Sequence, residues 1–494
     1  MIDTQAIRSK ILDLAMRGKL TEQLPEDGTA EELYRQIQAE KQKLIKAGKI
    51  KKGKPLPEIA DGEVPFEIPA NWKWIRLNEL GTFCGGKTPS MANEAFWKNG
   101  SINWVTSKDM KQKYISASEM MITKEAAREL NFLPAQTVLF VVRSGILRRL
   151  FPVAILSKEG TINQDLKALH LFLPEMCEFV YSLLKGFEAT ILFKYTKDGT
   201  TVNNIVFDDL LTMPVPLPPL AEQHRIVARI EQAFSALDTI DALQAKHADN
   251  LAVLESKLID AAIRGKLTEQ LPEDGTAEEL YRQIQAEKQA LIKAGKLKKE
   301  KPLPEIAADE APFEIPKSWK WVRTGDVFSV GTGLTPLTNE KRFYENGRIP
   351  WVTSSLTSNR YIQDATTYLS EYALEATSLR LHPKHTLIIA MYGEGKTRGQ
   401  IAELLIPATT NQACATLDNI VYNQATVDYV YFFFTHNYVQ LRSQAGGSNQ
   451  PNLNLNKIKE TPIPLPPLAE QKRIVDRINE LLAVCDELKS KGNP

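Results

Sequence analysis

Between residues 220 and 264 side chains of one face recur at three-and-four spacing: Ile226, Ile230, Phe234, Leu237 and Ile240 or Asp241, then Leu251, Leu254 and Leu258. No glycine or proline interrupts this stretch, so it predicts one helix on the order of 65 Å long at ~1.5 Å per residue. Its apolar face is narrow, which suits a coiled-coil partner better than a globular core. Residues 1–50 predict helix, break and helix. Ile7, Ile11 and Leu14 keep helical spacing, and Pro25 and Gly28 make the break. Thr29-Ala30-Glu31-Glu32 has the form of a capping box, Leu33, Ile37, Leu44 and Ile45 share a face, and Gly48 is placed to end the helix. Residues 72–213 change character. Short β-like runs such as Thr137–Arg143 and Phe151–Leu156 alternate with turns and a few helices, which predicts a mixed α/β domain with a twisted sheet rather than a parallel doubly wound one.

The pattern is written twice. Arg17–Gln42 returns without a change at Arg264–Gln289, an offset of 247 residues and half the chain. Pro214-Val215-Pro216-Leu217-Pro218-Pro219-Leu220-Ala221-Glu222-Gln223 returns as Pro462-Ile463-Pro464-Leu465-Pro466-Pro467-Leu468-Ala469-Glu470-Gln471. Each copy is a stiff proline run that feeds a helix, since proline suits a helix start but not its interior. Residues 78–213 and 325–461 share only a skeleton: Trp104-Val105-Thr106-Ser107 against Trp351-Val352-Thr353-Ser354, and Asn163-Gln164 against Asn411-Gln412. Two equivalent frames therefore carry two different readers. The last helical pattern, 469–490, matches only the first part of the central one, and the remainder sits at residues 1–47. This predicts a circular arrangement, with the C-terminal helix beside the N-terminal segment and a pseudo-two-fold molecule made by one chain.

Composition changes this picture little. A chain of 494 residues with 43% hydrophobic content is ordinary for soluble multidomain protein. Four scattered cysteines (Cys84, Cys177, Cys414, Cys485) form no C-x-x-C pair, which favours a reducing, cytoplasmic setting over a disulfide or zinc framework. The N-terminus has charges throughout and no signal-peptide pattern, and the apolar runs near Tyr429–Phe434 and Leu387–Tyr392 are too short to span a membrane. A net charge of +1 gives no compositional sign of nucleic acid.

Several stretches resemble catalytic motifs. Ala390-Met391-Tyr392-Gly393-Glu394-Gly395-Lys396-Thr397 fits a relaxed phosphate-binding loop with alanine in the first glycine position. Its continuation reads as turn and strand rather than helix, and the equivalent first-half loop, Val142–Arg149, lacks the motif. Phe83-Cys84-Gly85-Gly86 faintly resembles a methyltransferase cofactor loop, but the chain has no D/N-P-P-Y/F. His382 and His385 flank Pro383 with no third ligand near in sequence. No carboxylate–lysine cluster reads as a nuclease, so the chain is expected to lack catalytic machinery.

Polar loops at matching places in the two variable domains carry the better signal. Arg, Lys, Asn, Gln and Ser contact phosphates and base edges, and glycine lets the backbone approach. The first domain offers Lys87, Thr88, Ser90, Ser107, Arg143, Ser144, Arg148, Lys194, Lys197, Thr200 and Asn203. The second offers Thr335, Ser354, Arg360, Tyr392, Lys396, Arg398, Ser448, Asn449, Gln450 and Asn452.

The two PLPPLAEQ junctions, the Gly-rich turns ending in Thr88-Pro89 and Thr335-Pro336, the Trp-Val-Thr strands and the Gly-x-x-x-Asn loops together resemble the specificity subunits of Type I restriction–modification enzymes, over essentially the whole chain. The resemblance implies an α+β fold: two mixed α/β target-recognition domains with twisted sheets, separated by long antiparallel coiled-coil helices. It implies an N-terminal helical segment and linker (1–64), recognition domains at 65–215 and 312–463, a central helical region (216–311) and a C-terminal helix (464–494). It implies a non-catalytic subunit that binds a bipartite site in double-stranded DNA and directs adenine methylation and restriction by its partners. Those partners are two methyltransferase subunits and, in the full complex, ATP-dependent restriction subunits. S-adenosylmethionine, magnesium and ATP then belong to the partners, which also supply phosphate contacts that a near-neutral chain lacks. A P-loop nucleotide-binding enzyme and a coiled-coil scaffold without DNA affinity are the alternatives.

Overall fold

The computed structural model describes residues 2–53, 57–199, 202–307, 309–392, 397–438 and 453–491. The chain divides into two compact units, residues 2–244 and 245–494, and the dividing point lies inside one continuous helix, Leu220–Ile263. Each unit is built to the same plan.

In the first unit, helix Thr4–Met16 is followed by a short 3-10 turn at Pro25–Asp27 and helix Ala30–Lys46. The capping box at Thr29 forms, and Gly48, at φ +68°, closes the helix in the left-handed conformation that glycine favours. The variable domain then folds around a five-stranded sheet in the order Gly81–Gly85, Leu166–Leu171, Thr137–Val141, Val153–Leu156 and Tyr114–Ile115. All neighbours are antiparallel except the last pair. Strand Thr137–Val141 is buried along its whole length, as expected for a central strand covered on both faces. Helix Cys177–Gly186 covers one face and joins the two N-terminal helices in a single core with Met16, Leu33, Ile37, Phe140, Val180 and Leu184.

The second unit repeats this order strand for strand: Phe328–Thr332, Cys414–Asn419, Leu387–Ala390, Ile401–Leu404 and Tyr361–Ile362. A small sheet beside each large one also repeats, Met121–Ile122, Ile102–Val105 and Gly160–Ile162 against Thr367–Leu369, Ile349–Val352 and Thr409–Thr410.

The proline runs do more than lead into a helix. Pro214–Leu217 is itself a strand, antiparallel to Lys73–Arg76, and Pro462–Leu465 pairs with Lys320–Arg323 in the same register. Prolines at alternate positions leave every missing N–H on one edge of the strand, so the other edge still pairs. The ribbon ties the start of each variable domain to its end. Just beyond it the junction glutamate is buried: Trp72 Nε1 donates to Glu222 at 2.7 Å and Thr21 at 3.1 Å, while Trp319 and Thr268 donate to Glu470 at 2.8 and 3.1 Å. Burial pushes the Glu470 carboxyl above its ordinary value. Gln223 and Gln471 each donate back to a proline carbonyl, of Pro218 and Pro466. Arg225 binds Asp27 and Arg473 binds Asp274, and each guanidinium holds its aspartate below the usual carboxylate range.

These contacts define an antiparallel helix pair in each unit. Against the rising numbers of the first helix run the falling numbers of the second: Thr4 on Asp241, Arg8 on Asp238, Thr21 on Glu222. In the second unit Glu255 meets Lys489, and Thr268 meets Glu470. The C-terminal helix, Leu468–Lys491, thus lies beside the repeat of the N-terminal segment within its own unit, where the sequence pattern placed it beside the segment itself. The apolar seam also shifts. Leu251 is buried as the spacing predicts, but Leu254 is 42% exposed and Ile259 is buried where the spacing placed Leu258, which is half-buried. Among the described residues no helix is long and apolar enough to cross a membrane.

Candidate nucleic-acid interface

The shared skeleton of the two variable domains converges on one place in each. After strand Gly81–Gly85 the chain turns through Gly86, whose added Cβ would lie 1.9 Å from the Ile162 carbonyl oxygen; at Gly333 the corresponding distance, to Thr410, is 1.8 Å. Only glycine permits this approach. It brings Lys87 N to 3.2 Å from Ile162 O, and Leu334 N to 2.9 Å from Thr410 O. The indole of Trp104 donates to the Lys87 carbonyl at 3.1 Å, and that of Trp351 to Leu334 at 3.2 Å. Asn163 N and Asn411 N close the other side on the carbonyls of Val105 and Val352, at 2.9 and 3.0 Å. Last, the Thr88 hydroxyl donates to Gln164 and that of Thr335 to Gln412. Gly-turn, tryptophan strand and Asn-Gln pair are thus parts of one device, and it exposes different side chains in the two units.

In the first unit the device continues into the other loops. Val142 N and Arg143 N both reach the Asp165 carbonyl, one residue past Gln164. Arg143–Ser144 is a strand paired with Asn203–Ile205, which pairs in turn with Thr196–Lys197. Lys87, Thr88, Ser90, Arg143, Arg148, Lys194 and Lys197 are all exposed along this arc. Arg143, Lys194 and Lys197, with Arg149, make no ion pair to any described carboxylate. Ser144 accepts from Ile146 N and opens the turn Gly145–Arg148, and Ser107 is half-buried just past the tryptophan strand.

Two of the expected contact residues have partners within the fold. Asn203 is only 5% exposed: it donates to Asp198 at 2.8 Å and accepts from Arg148 at 3.5 Å, so it braces the loops instead of facing outward. Arg360 stands beside strand Tyr361–Ile362, at the edge of the sheet farthest in strand order from the Gly-turn. Its guanidinium pairs with Asp428 at 2.8 Å and packs over Tyr431 and Phe432. In the second unit Thr335 belongs to the device, half-buried Ser354 opens a 3-10 turn just past the tryptophan strand, and exposed Tyr392 follows Met391, whose N–H reaches Ala413 O beside Gln412. Arg398 is half-buried. Thr200, Lys396, Ser448, Asn449, Gln450 and Asn452 lie outside the described residues.

Residue types alone missed Gln164 and Gln412, which are exposed and hold the threonines. Their signal was present as the Asn-Gln pair repeated in both halves. The other motifs resolve into structure. His382 contacts Asp418 at 2.9 Å and His385 contacts Glu403 at 2.7 Å. The chain after the glycine-rich 390–397 stretch enters strand Ile401–Leu404, where a phosphate-binding loop would enter a helix.

Two copies of one polar platform, each on its own α+β unit with its own antiparallel helix pair, define a protein of two equivalent halves. The family follows: the chain belongs to the Type I restriction modification DNA specificity domain family, whose model matches residues 69–246 and 316–493. It is 26% identical to the Type I restriction enzyme EcoEI specificity subunit of Escherichia coli and 27% identical to that of EcoAI, in each case over 98% of this chain and 90% of the relative. The MjaIX specificity subunit of Methanocaldococcus jannaschii is 25% identical over 81% of this chain and 84% of its own. A solved chain described under complex assembly and conformational transition of the type I R-M system shares the fold, with a TM-score of 0.56 at 15% identity over 87% of this chain and 94% of that one.

Proposed function

We propose that this chain is the non-catalytic specificity subunit of a Type I restriction–modification complex, in which each unit reads one half of a bipartite site in double-stranded DNA. The observation that carries the reading is the duplicated platform: one backbone device, pinned by the same hydrogen bonds in both units, presents different exposed side chains in each. Phosphates are met by the unpaired cations of the first arc, and base edges by the groups on the turns. Adenine methylation and cleavage are performed by two methyltransferase subunits and by ATP-dependent restriction subunits held in the same complex, which bring their own cofactors.

Exchanging residues 72–213 for the corresponding domain of another family member tests this. The exchange replaces the ribbon strand Lys73–Arg76 and keeps its partner Pro214–Leu217, while the helix-pair contacts of Thr4 with Asp241 and Arg8 with Asp238 lie outside the exchanged segment. The methylome of cells carrying the exchanged chain is expected to show one new half-site and one unchanged. A change in both half-sites would show that the units do not read separately.

Lys396→Ala tests the glycine-rich loop. Loss of one phosphate contact is expected to weaken binding on all sequences alike and to lower the slope of log affinity against log salt by about one. ATP binding by the isolated chain, abolished by the same change, would instead favour a nucleotide enzyme.

A further inference from the structure

We propose that Phe193 is a wedge that enters the base stack of the duplex at or beside the first half-site; this rests on the DNA-recognition reading above. Phe193 is 86% exposed, the most exposed large apolar side chain among the described residues. It sits on helix Glu188–Lys194, where Ile191 is fully buried and Leu192 packs against the core. At ~100° per residue, the next position points away from that core. An isolated exposed apolar residue needs no explanation. The surroundings of Phe193 distinguish it.

Its helix runs directly into strand Thr196–Lys197, and through two strand pairings to Arg143–Ser144 and the turn that carries Arg148. The turn returns to the helix: Phe151 N donates to Glu188 at 2.6 Å, and Lys185 Nζ donates to the Phe151 carbonyl. The aromatic ring therefore stands on one closed piece of structure with Arg143, Arg149, Lys194 and Lys197, none of which is ion-paired to a described carboxylate. Unpaired cations and an aromatic side chain carried on one connected piece of structure complement a polyanion with flat apolar layers between its charges. Phosphates take the cations, and a base step takes the ring. A neutral protein surface would leave the cations unmatched. The mounting is also rigid. Tyr195 N bonds Ile191 O at 3.0 Å and Val206 N bonds Tyr195 O at 2.7 Å, so the helix end is fixed from both sides and little freedom remains to be lost on insertion.

The test uses the full chain co-purified with its methyltransferase subunits. The probe is a short duplex carrying the motif read from the methylome. 2-Aminopurine is placed in turn at each base in and beside the first half-site, except the methylated adenine and its pair. The wild-type complex is expected to raise the fluorescence at one step. Phe193→Ala is expected to lose that rise and bind about tenfold more weakly, within the range for removing one aromatic–base stack. Its salt slope and Tm should be unchanged, because no buried contact and no charge is removed. Phe193→Trp is expected to keep both the rise and the affinity. Wild-type fluorescence and affinity in Phe193→Ala would overturn the proposal. So would a Phe193→Ala chain that no longer holds its methyltransferase subunits on gel filtration, which would make the ring a protein contact. A wild-type complex with no preference for the motif duplex over a scrambled one would overturn the DNA reading itself.

Discussion

Gly86→Ala is expected to abolish methylation of the motif while leaving the chain folded. The new Cβ would sit 1.9 Å from the Ile162 carbonyl oxygen and 2.4 Å from that of Asn163, both backbone atoms of the paired segment. Neither can yield as a side-chain tip would, so the turn must separate from the strand. Separation breaks the bond from Lys87 N to Ile162 O, withdraws the carbonyl that accepts from Trp104, and parts Thr88 from Gln164. The platform of the first unit is lost, while its five-stranded core and the second unit are untouched. Affinity for the motif duplex is expected to fall on the order of a hundredfold, equivalent to about 3 kcal/mol. Gly145→Ala is the matched control: it lies in the neighbouring loop, its Cβ would meet nothing within 4 Å, and it should behave as wild type. Normal methylation by Gly86→Ala would mean that the turn does not face DNA.

The second large effect concerns the continuous helix. Inserting four residues near Ala245 is expected to lengthen the preferred spacer between the half-sites by one or two base pairs, with both half-site sequences unchanged. Four residues add one turn, ~6 Å at ~1.5 Å per residue, against ~3.4 Å of rise per base pair. The position matters. The N-terminal segment pairs as far along as Gln244, through Ile2 just ahead of its helix, and the C-terminal helix makes its ion pair at Glu255. An insertion between them spares both antiparallel pairs and nearly preserves the apolar register, whereas two residues would rotate the seam by about half a turn. The methylome of the variant reads the outcome directly. An active variant that keeps the original spacer would show that the helix joins the units without measuring the distance between their sites.

What could be read in the sequence was whatever rests on local chemistry or on repetition. The helix at Leu220–Ile263, the capping box at Thr29 and the glycine that ends its helix follow from nearest-neighbour rules, and all appear as the residues specify. The Gly-turns and the Asn-Gln pair were visible because they occur twice. What was lost depends on pairing across distance. That Pro214–Leu217 is a strand is decided by Lys73–Arg76, far away in sequence, against the usual habit of proline. Asn203 looks like a surface contact until Asp198 and Arg148 claim both ends of its amide. Arg360 follows a serine-rich turn much as a DNA contact would, but Asp428 and three aromatic rings hold it at the far edge of the sheet. Residue type says what a side chain can bind, and only the fold decides whether it is already bound.

The unchanged segment Arg17–Gln42 and Arg264–Gln289 has a consequence for how such a chain changes over generations. In both units it forms the same short turn and the same 17-residue helix, with the same buried alanine, leucine and isoleucine: Ala30, Leu33 and Ile37, then Ala277, Leu280 and Ile284. A genetic crossover between the two copies would join the start of one to the end of the other without altering a residue at the seam. The product would gain or lose one whole unit, with the turn and the helix at the joint unchanged in sequence. On the function proposed above, recombination acting there would trade recognition modules across a joint whose own sequence does not change, so a new specificity would need only a single event.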